Sequence, residues 1–370
     1  VSPTPRELPR LDHVESIAVL RANAMGDYIA AEPALTALRS AAPRAHITLL
    51  ASAWHLEALA GRPGPVDEVI VLPEVPGGAA VEESDFIAGL RSRRFEIALQ
   101  MHGGGRNSNP IVGALGASFT AGFQADDAPP LDATLAYQYW QPEVFKWLDV
   151  VGLLGVVAQR VRPRFPVIAE DRRAAAESLA MAGVEPDTAY VVIHPGATDP
   201  QRRWPAQRFA QVAEALRCMG LQVVVIGTPS EGPVVEEVVR NAPGAVAVST
   251  PDFAALVGVL EGSRLLVGND SGPRHLAEAV GTATVSIYWC GNVINAGPLS
   301  RDRHRVHISW TTHCPQCGRI RVGEPFPPRC YDEISFVSDV RTQSVIRSAE
   351  ELLGPAGTIH RRCDGRRAAS

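Results

Sequence analysis

Leu265-Leu266-Val267-Gly268-Asn269-Asp270-Ser271-Gly272-Pro273-Arg274-His275-Leu276-Ala277 reads as a buried strand, a tight turn and the opening of a helix. The apolar run 265–268 has no polar alternation, so both faces of that strand are expected to be covered. Pro273 suits a first helical turn, and Leu276, Ala279 and Val280 follow at helical spacing. Ser271 and Gly272 present backbone donors at the positive end of that helix, a ready site for a diphosphate. His275, on the first turn, can add a donor.

The same alternation continues in both directions. Strands are expected at 16–21, 46–51, 68–72, 96–101 and 118–122, and again at 190–194, 222–227, 245–248, 265–268 and 284–288. Helical spacing lies between them, as in Phe209, Val212, Ala213 and Leu216. Strand-helix alternation predicts parallel sheets built from right-handed βαβ units. The proline-spaced stretch 161–166, with a helix starting after Asp171, marks a linker near residues 160–171. The expected fold class is therefore α/β, with two doubly wound halves, 1–165 and 166–345, then a terminal helix and mobile tail at 346–370. Facing halves would enclose a cleft at the carboxyl ends of their strands.

Length and charge narrow the function. A chain of 370 residues exceeds the usual reach of one core. Lys+Arg total 35 against 40 Asp+Glu, a net charge of −5, which argues against a general nucleic-acid partner. Lys146 is the single lysine; the other 34 cations are arginines, a bias that GC-rich codon usage explains. Lys146 sits in Phe-Lys-Trp, so there is no P-loop, and nothing in its neighbourhood recommends Schiff-base chemistry. Gly103-Gly104-Gly105-Arg106 lacks the third glycine of a dinucleotide fingerprint. No run of 18 apolar residues spans a membrane, and the N-terminal stretch lacks the apolar core of a signal peptide. A cytoplasmic location is expected, in solution or peripheral to a membrane.

Three more strand-to-helix junctions are unusual. In 21–27, Gly26 permits a tight turn, and Asp27 reads either as a helix cap or as a carboxylate free to accept a proton. Pro33 marks either a kink or the start of the regular helix. In 194–205, Gly196, Ala197 and Thr198 let an anion approach backbone N–H groups, beside Arg202 and Arg203; the alternative is a solvated basic loop. In 227–231, Glu231 would hold ribose hydroxyls or merely favour a helix start.

With these residues in view, the chain resembles glycosyltransferase family 9, the ADP-heptose:lipopolysaccharide heptosyltransferase-like family. The marks are Ala24-Met25-Gly26-Asp27 followed by Pro33-Ala34-Leu35, then Ile193-His194-Pro195-Gly196-Ala197. Arg202-Arg203-Trp204-Pro205-Ala206-Gln207-Arg208-Phe209 and Asn269 through Leu276 complete them, over roughly residues 14–353. The resemblance implies a GT-B fold and a metal-independent inverting transfer that needs no cofactor. It implies Asp27 as general base, Arg202 and the Thr198 loop toward donor phosphates, and Glu231 near the nucleoside. Ser271, Gly272 and His275 match the phosphate-binding turn, and Asp270 the acid before it. Arg274 departs from the small or apolar residue expected there, which adds charge and leaves the exact donor open. The N-terminal half would take the acceptor, making His102, Arg106 and Asn107 candidate acceptor contacts. The partners implied are a nucleotide-sugar donor such as ADP-heptose and a glycan or small-metabolite acceptor.

Other readings stay open beside this one. The same fold carries nucleotide-sugar epimerases and hydrolases, and a non-catalytic nucleotide-sugar binding protein is a third possibility. Cys314, Cys317 and Cys330 with His313 would hold a structural zinc, or else form a local disulfide or pack a flap at 309–331. Arg91, Arg93 and Arg94 close a helix or meet an anionic acceptor.

Overall fold

The computed structural model describes residues 8–73, 85–185, 188–249, 252–323 and 334–354. The chain divides into two compact units, Val1–Pro166 and Val167–Ser370.

In the first unit the order is β1 (Ser16–Leu20), α1 (Met25–Ala41), β2 (His46–Ala51), α2 (Trp54–Leu59), β3 (Glu68–Val71) and α3 (Asp85–Arg91). Then come β4 (Ile97–Gln100), α4 (Ser108–Ala114), β5 (Phe119–Gln124), β6 (Ala133–Ala136) and α5 (Glu143–Gly152). The strands lie in the order β3-β2-β1-β4-β5-β6, each neighbour parallel. β1 and β4 are largely buried and mostly apolar because helices cover both faces of a parallel sheet. α1 runs unbroken through Pro33, which lacks an N–H for the helical ladder and is itself buried.

The second unit runs α6 (Ala169–Met181), β7 (Tyr190–His194), α7 (Ala206–Cys218), β8 (Gln222–Gly227), α8 (Gly232–Asn241), β9 (Ala245–Ser249) and α9 (Phe253–Glu261). It continues with β10 (Leu265–Asn269), α10 (Gly272–Val280), β11 (Ala283–Trp289), α11 (Val293–Ala296), β12 (His304–Ser309) and α12 (Thr342–Leu353). Its sheet, β12-β11-β10-β7-β8-β9, is again parallel throughout. Three strands step outward one way, and the chain then crosses back and steps out the other way, as in the first unit.

Two strands escape the sequence reading, and both are edges. β6 is half-exposed, and β12 reads His-Arg-Val-His-Ile-Ser with only its ends buried. An edge strand packs on one neighbour, so apolar selection on it is weak. β12 also means that the cysteine segment follows a sixth strand of this sheet. α12 belongs to the second core: Val345 and Ala349 join Phe209, Leu216 and Val285 in one buried cluster. Residues 355–370 of the expected tail lie outside the described ones. Among the described residues, no helix is long and apolar enough to cross a membrane.

The start of the second unit is pinned by close packing of α6 on α9. A Cβ on Gly258 would lie 2.1 Å from the Asp171 carbonyl oxygen and 2.7 Å from Ala175 Cβ. Backbone cannot yield as a side-chain tip can. Gly258→Ala is therefore expected to cost about 1–3 kcal/mol, read as a lowered urea midpoint with the m-value unchanged.

Candidate active site

Strand order reverses between β1 and β4 in the first unit and between β7 and β10 in the second. Loops leaving such a pair diverge to opposite faces and open a crevice at the strand ends. The loops singled out by sequence leave these four strands, apart from the Glu231 loop after β8.

In the first unit Asp27 stands on the third residue of α1. The cap residue is Ala24, and no side chain caps this helix, so the carboxylate is not used as a cap. It is about a third exposed and lies 3.6 Å from the Arg21 guanidinium, which is 1% exposed. Arg21 donates through Nε and Nη2 to the Asp27 carbonyl at 3.2 and 2.7 Å, and through Nη1 to the Met101 carbonyl at 2.7 Å. Its plane stacks on Trp147 at 4.2 Å, and Glu143 lies 3.9 Å away. Arg21 thus ties the end of β1 to the end of β4 and fixes the turn bearing Asp27.

His102 follows β4. The Ala22 N–H donates to its Nδ1 at 3.3 Å, which places the ring proton on Nε2. Burial, then the Arg21 charge, push His102 below its usual value, against the pull of Asp27. A neutral imidazole therefore sits by the carboxylate. The loop is shaped by Gln100, whose Nε2 donates to the His102 and Gly103 carbonyls and to Ser108 Oγ, while its Oε1 accepts from the Phe123 N–H. Gly105 takes φ +95 there, where a Cβ would meet Asn109 and the Phe123 carbonyl. Arg106 is exposed and pairs with exposed Asp127 at 3.0 Å, a contact of small energetic weight. Asn107 is exposed at the start of α4 and makes no cap hydrogen bond.

In the second unit Asn269, fully buried, joins two loops. Its Nδ2 donates to the Pro195 and Gly196 carbonyls at 2.8 and 3.2 Å, and its Oδ1 accepts from the Trp204 N–H at 3.1 Å. Asp270 beside it accepts from Arg202 Nη1 at 3.1 Å, from His275 Nε2 at 3.3 Å and from Asn292. Burial alone would raise Asp270, but the His275 hydrogen bond and the Arg202 and Arg274 charges hold it below the carboxylate range. Arg202 is 38% exposed, so part of its side chain stays open to solvent. Thr198 is exposed on the same loop. Ser271 is the extended cap residue of α10, and no side chain caps that helix, which leaves its first N–H groups available to an anion.

His275 is held from both sides. Arg274 Nη2 donates to its Nδ1, and its Nε2–H faces Asp270. Burial, then the Arg274 charge, lower its pKa, so the ring is neutral with both nitrogens engaged. The side chain orients Asp270, and donation to a phosphate would require its release. Arg274 itself is buried against Glu278 at 2.6 Å and over Tyr288 at 5.8 Å, so its charge is met inside the protein.

Glu231 forms a reciprocal cap with Thr228, accepting from its N–H at 2.8 Å and its hydroxyl at 3.0 Å. His194 bridges it at 3.4 Å to Ser271 Oγ at 3.0 Å. Burial opposes ionisation, but His194 and Thr228 outweigh it and bring the Glu231 carboxyl to about 2. A Cβ on Gly196 would fall 1.8 Å from Glu231 Oε1, so only glycine leaves room for this carboxylate.

The remaining candidates sit elsewhere. Arg93 forms a two-pronged pair with Glu68 at 2.5 and 2.8 Å, so its charge is internally matched. Cys314 is buried and Cys317 exposed in a turn closed by the Gly318 N–H to the Cys314 carbonyl. Cys330 lies outside the described residues, among which no group of three or more His, Cys, Asp or Glu is placed to hold a metal.

The profile of glycosyltransferase family 9 (heptosyltransferase) matches residues 84–321. The chain belongs to glycosyltransferase family 9. Lipopolysaccharide heptosyltransferase 3 of Escherichia coli K12 is 33% identical over 144 residues, 32% of this chain and 42% of that protein. The match thus spans under half of that relative's length. Lipopolysaccharide heptosyltransferase 2 of Salmonella typhimurium is 22% identical over 92% of this chain and 99% of its own. A solved family 9 glycosyltransferase from Veillonella parvula superposes with a TM-score of 0.76 at 22% identity, covering 94% of this chain and 99% of its own. The E. coli ADP-heptose lps heptosyltransferase II gives 0.71 at 19%, over 91% and 98%. The fold is the GT-B class, built from two Rossmann-like parallel-sheet domains.

Within this family 9 chain, sequence reasoning missed the supports of the loops. Arg21, Gln100, Glu143 and Trp147 support Asp27; Asn269, Asn292 and His194 support the second site. Asn269 and His194 stood within quoted motifs, but their partners are distant in sequence. The Glu231 arrangement gives a test with a definite sign. A depressed carboxyl stabilises above its ordinary 4.5 and loses that stabilisation as pH falls toward about 2. Glu231→Gln should lower stability by about 1–3 kcal/mol at pH 7. In urea titrations, its gap to wild type should narrow as the pH falls from 5 toward 2.

Proposed function

We propose that this chain is an inverting, metal-independent glycosyltransferase that moves heptose from ADP-heptose to an acceptor hydroxyl. The observation that carries this reading is the contrast between the two strand-order reversals. One carries the Asp27 carboxylate with a neutral histidine, and the other carries Arg202 with an uncapped helix start. The first equipment accepts a proton; the second binds a diphosphate.

In this reading the acceptor oxygen attacks the anomeric carbon in line as the bond to the nucleoside diphosphate breaks. The sugar passes through an oxocarbenium-like state. Asp27 accepts the acceptor proton late, when bond formation has made it acidic; an ordinary aspartate is too weak a base for a free alcohol. His102 Nε2–H orients the acceptor. Arg202 and the α10 amides meet the growing charge of the leaving group, work that a divalent cation does in other enzymes. The Thr198 loop joins Arg202 at the donor phosphates and Glu231 serves the nucleoside end, with Arg106 and Asn107 at the acceptor loop. The relatives' names favour a lipopolysaccharide-type acceptor.

Calorimetry over a panel of nucleotide sugars, then product mass with core oligosaccharide acceptors, tests the reading. Tight binding of ADP-heptose and a mass gain of one heptose on the acceptor are expected. A changed sugar without acceptor would instead show an epimerase. Asp27→Ala should lower turnover by about 10²–10⁴-fold while ADP affinity stays near wild type; near-normal transfer would defeat the base assignment. Arg202→Ala should weaken ADP binding about 10–100-fold, the range for a charged hydrogen bond. Unchanged affinity would remove Arg202 from the donor site.

A further inference from the structure

The chain's single lysine is inside the protein. Lys146, on α5, is 1% exposed, and its Nζ donates to Glu143 Oε1 at 2.7 Å. It also lies over the rings of Tyr137 and Tyr139, at 5.1 and 5.7 Å. The other oxygen of Glu143 faces Arg21 at 3.9 Å, and Arg21 faces the Asp27 carboxylate at 3.6 Å. Four charges therefore alternate from α5 to the turn of α1: Lys146, Glu143, Arg21, Asp27. The other titratable groups facing Asp27 are His102 and Tyr137. Burial, then Glu143, push the Tyr137 hydroxyl up to about 12, so it carries no charge at working pH.

We propose that Lys146 is a positioning residue for the transfer reaction: by neutralising Glu143, it keeps the Arg21 charge directed at Asp27. The proposal rests on the reading of Asp27 as the base. Without Lys146, Glu143 is a half-buried carboxylate whose nearest cation is Arg21, and the two carboxylates share one guanidinium. Glu143, no longer neutralised, then adds its repulsion at Asp27 to the Arg21 attraction, so the net potential that favours the Asp27 carboxylate falls. The Arg21 hydrogen bonds to the Asp27 and Met101 carbonyls would also loosen, because the guanidinium would be drawn toward α5. A structural lysine held only by packing would predict none of this, since methionine fills a similar volume.

The test follows the Asp27 carboxyl by carbon-13 NMR titration of the full chain, assigned by its loss in Asp27→Asn. Lys146→Met should raise the Asp27 midpoint by about 0.2–0.7 pH unit, the range for charge pairs partly open to solvent. Lys146→Arg keeps the charge and should restore the wild-type midpoint. Glu143→Gln should lower it, since Arg21 then serves Asp27 alone. The double variant Glu143→Gln/Lys146→Met loses both charges and should return near wild type. An unchanged midpoint in Lys146→Met, or the same rise in the double variant, overturns the proposal. Should Lys146→Met fail to fold, Glu143→Gln decides: a lowered midpoint supports the coupling and an unchanged one overturns it. The base reading is judged separately by turnover of Asp27→Ala, so transfer surviving in that variant defeats the base while the midpoints still report the coupling.

Discussion

The constraint behind both sites is the reversal of strand order in a parallel sheet. Right-handed crossovers place successive helices on one face while the chain steps outward, and on the other face once it returns to the centre. Neighbouring loops at β1/β4 and β7/β10 then leave in opposite directions, and the backbone opens at their carboxyl ends. The candidate site residues stand at those openings, apart from Glu231 after β8. Asp27 and His102 stand at one; Arg202, Asp270 and the start of α10 stand at the other.

Each opening is braced by a buried polar group that spans it. Arg21 links the β1 turn to the end of β4 through the Met101 and Asp27 carbonyls. Asn269 links the end of β10 to the Pro195–Gly196 turn and to Trp204. A buried donor left without its partner is costly, so each brace holds its loop to one geometry. The site residues are thereby preorganised: Asp27 rests on a fixed turn, and Asp270 is surrounded by Arg202, His275 and Asn292.

The cation usage gains a physical meaning from this arrangement. Arginine suits the positions that grip carbonyls and carboxylates with several prongs at once, as Arg21, Arg93 and Arg274 do. The one lysine occupies a place where a compact charge meets a single carboxylate oxygen under two tyrosine rings. Arg274, which stood out in the sequence as added charge at the site, is directed inward to Glu278 and fixes the tautomer of His275.

The sequence by itself determined the architecture and brought out the candidate residues. Apolar runs at 190–194 and 265–268 read as covered strands, and glycine, proline and short polar residues after them as turns, because these are local properties of the backbone. Asp27, Arg202 and the 270–275 turn stood out as candidates for the same reason. The edge strands β6 and β12 were not, since one neighbour imposes little pattern. Only the tertiary structure decided who supports whom. Arg21 meets Glu143 across more than a hundred residues, Asn269 meets Pro195, and Gly196 leaves room for Glu231. Such pairings depend on which strand ends the crossovers bring together, and periodicity along the chain carries no record of that.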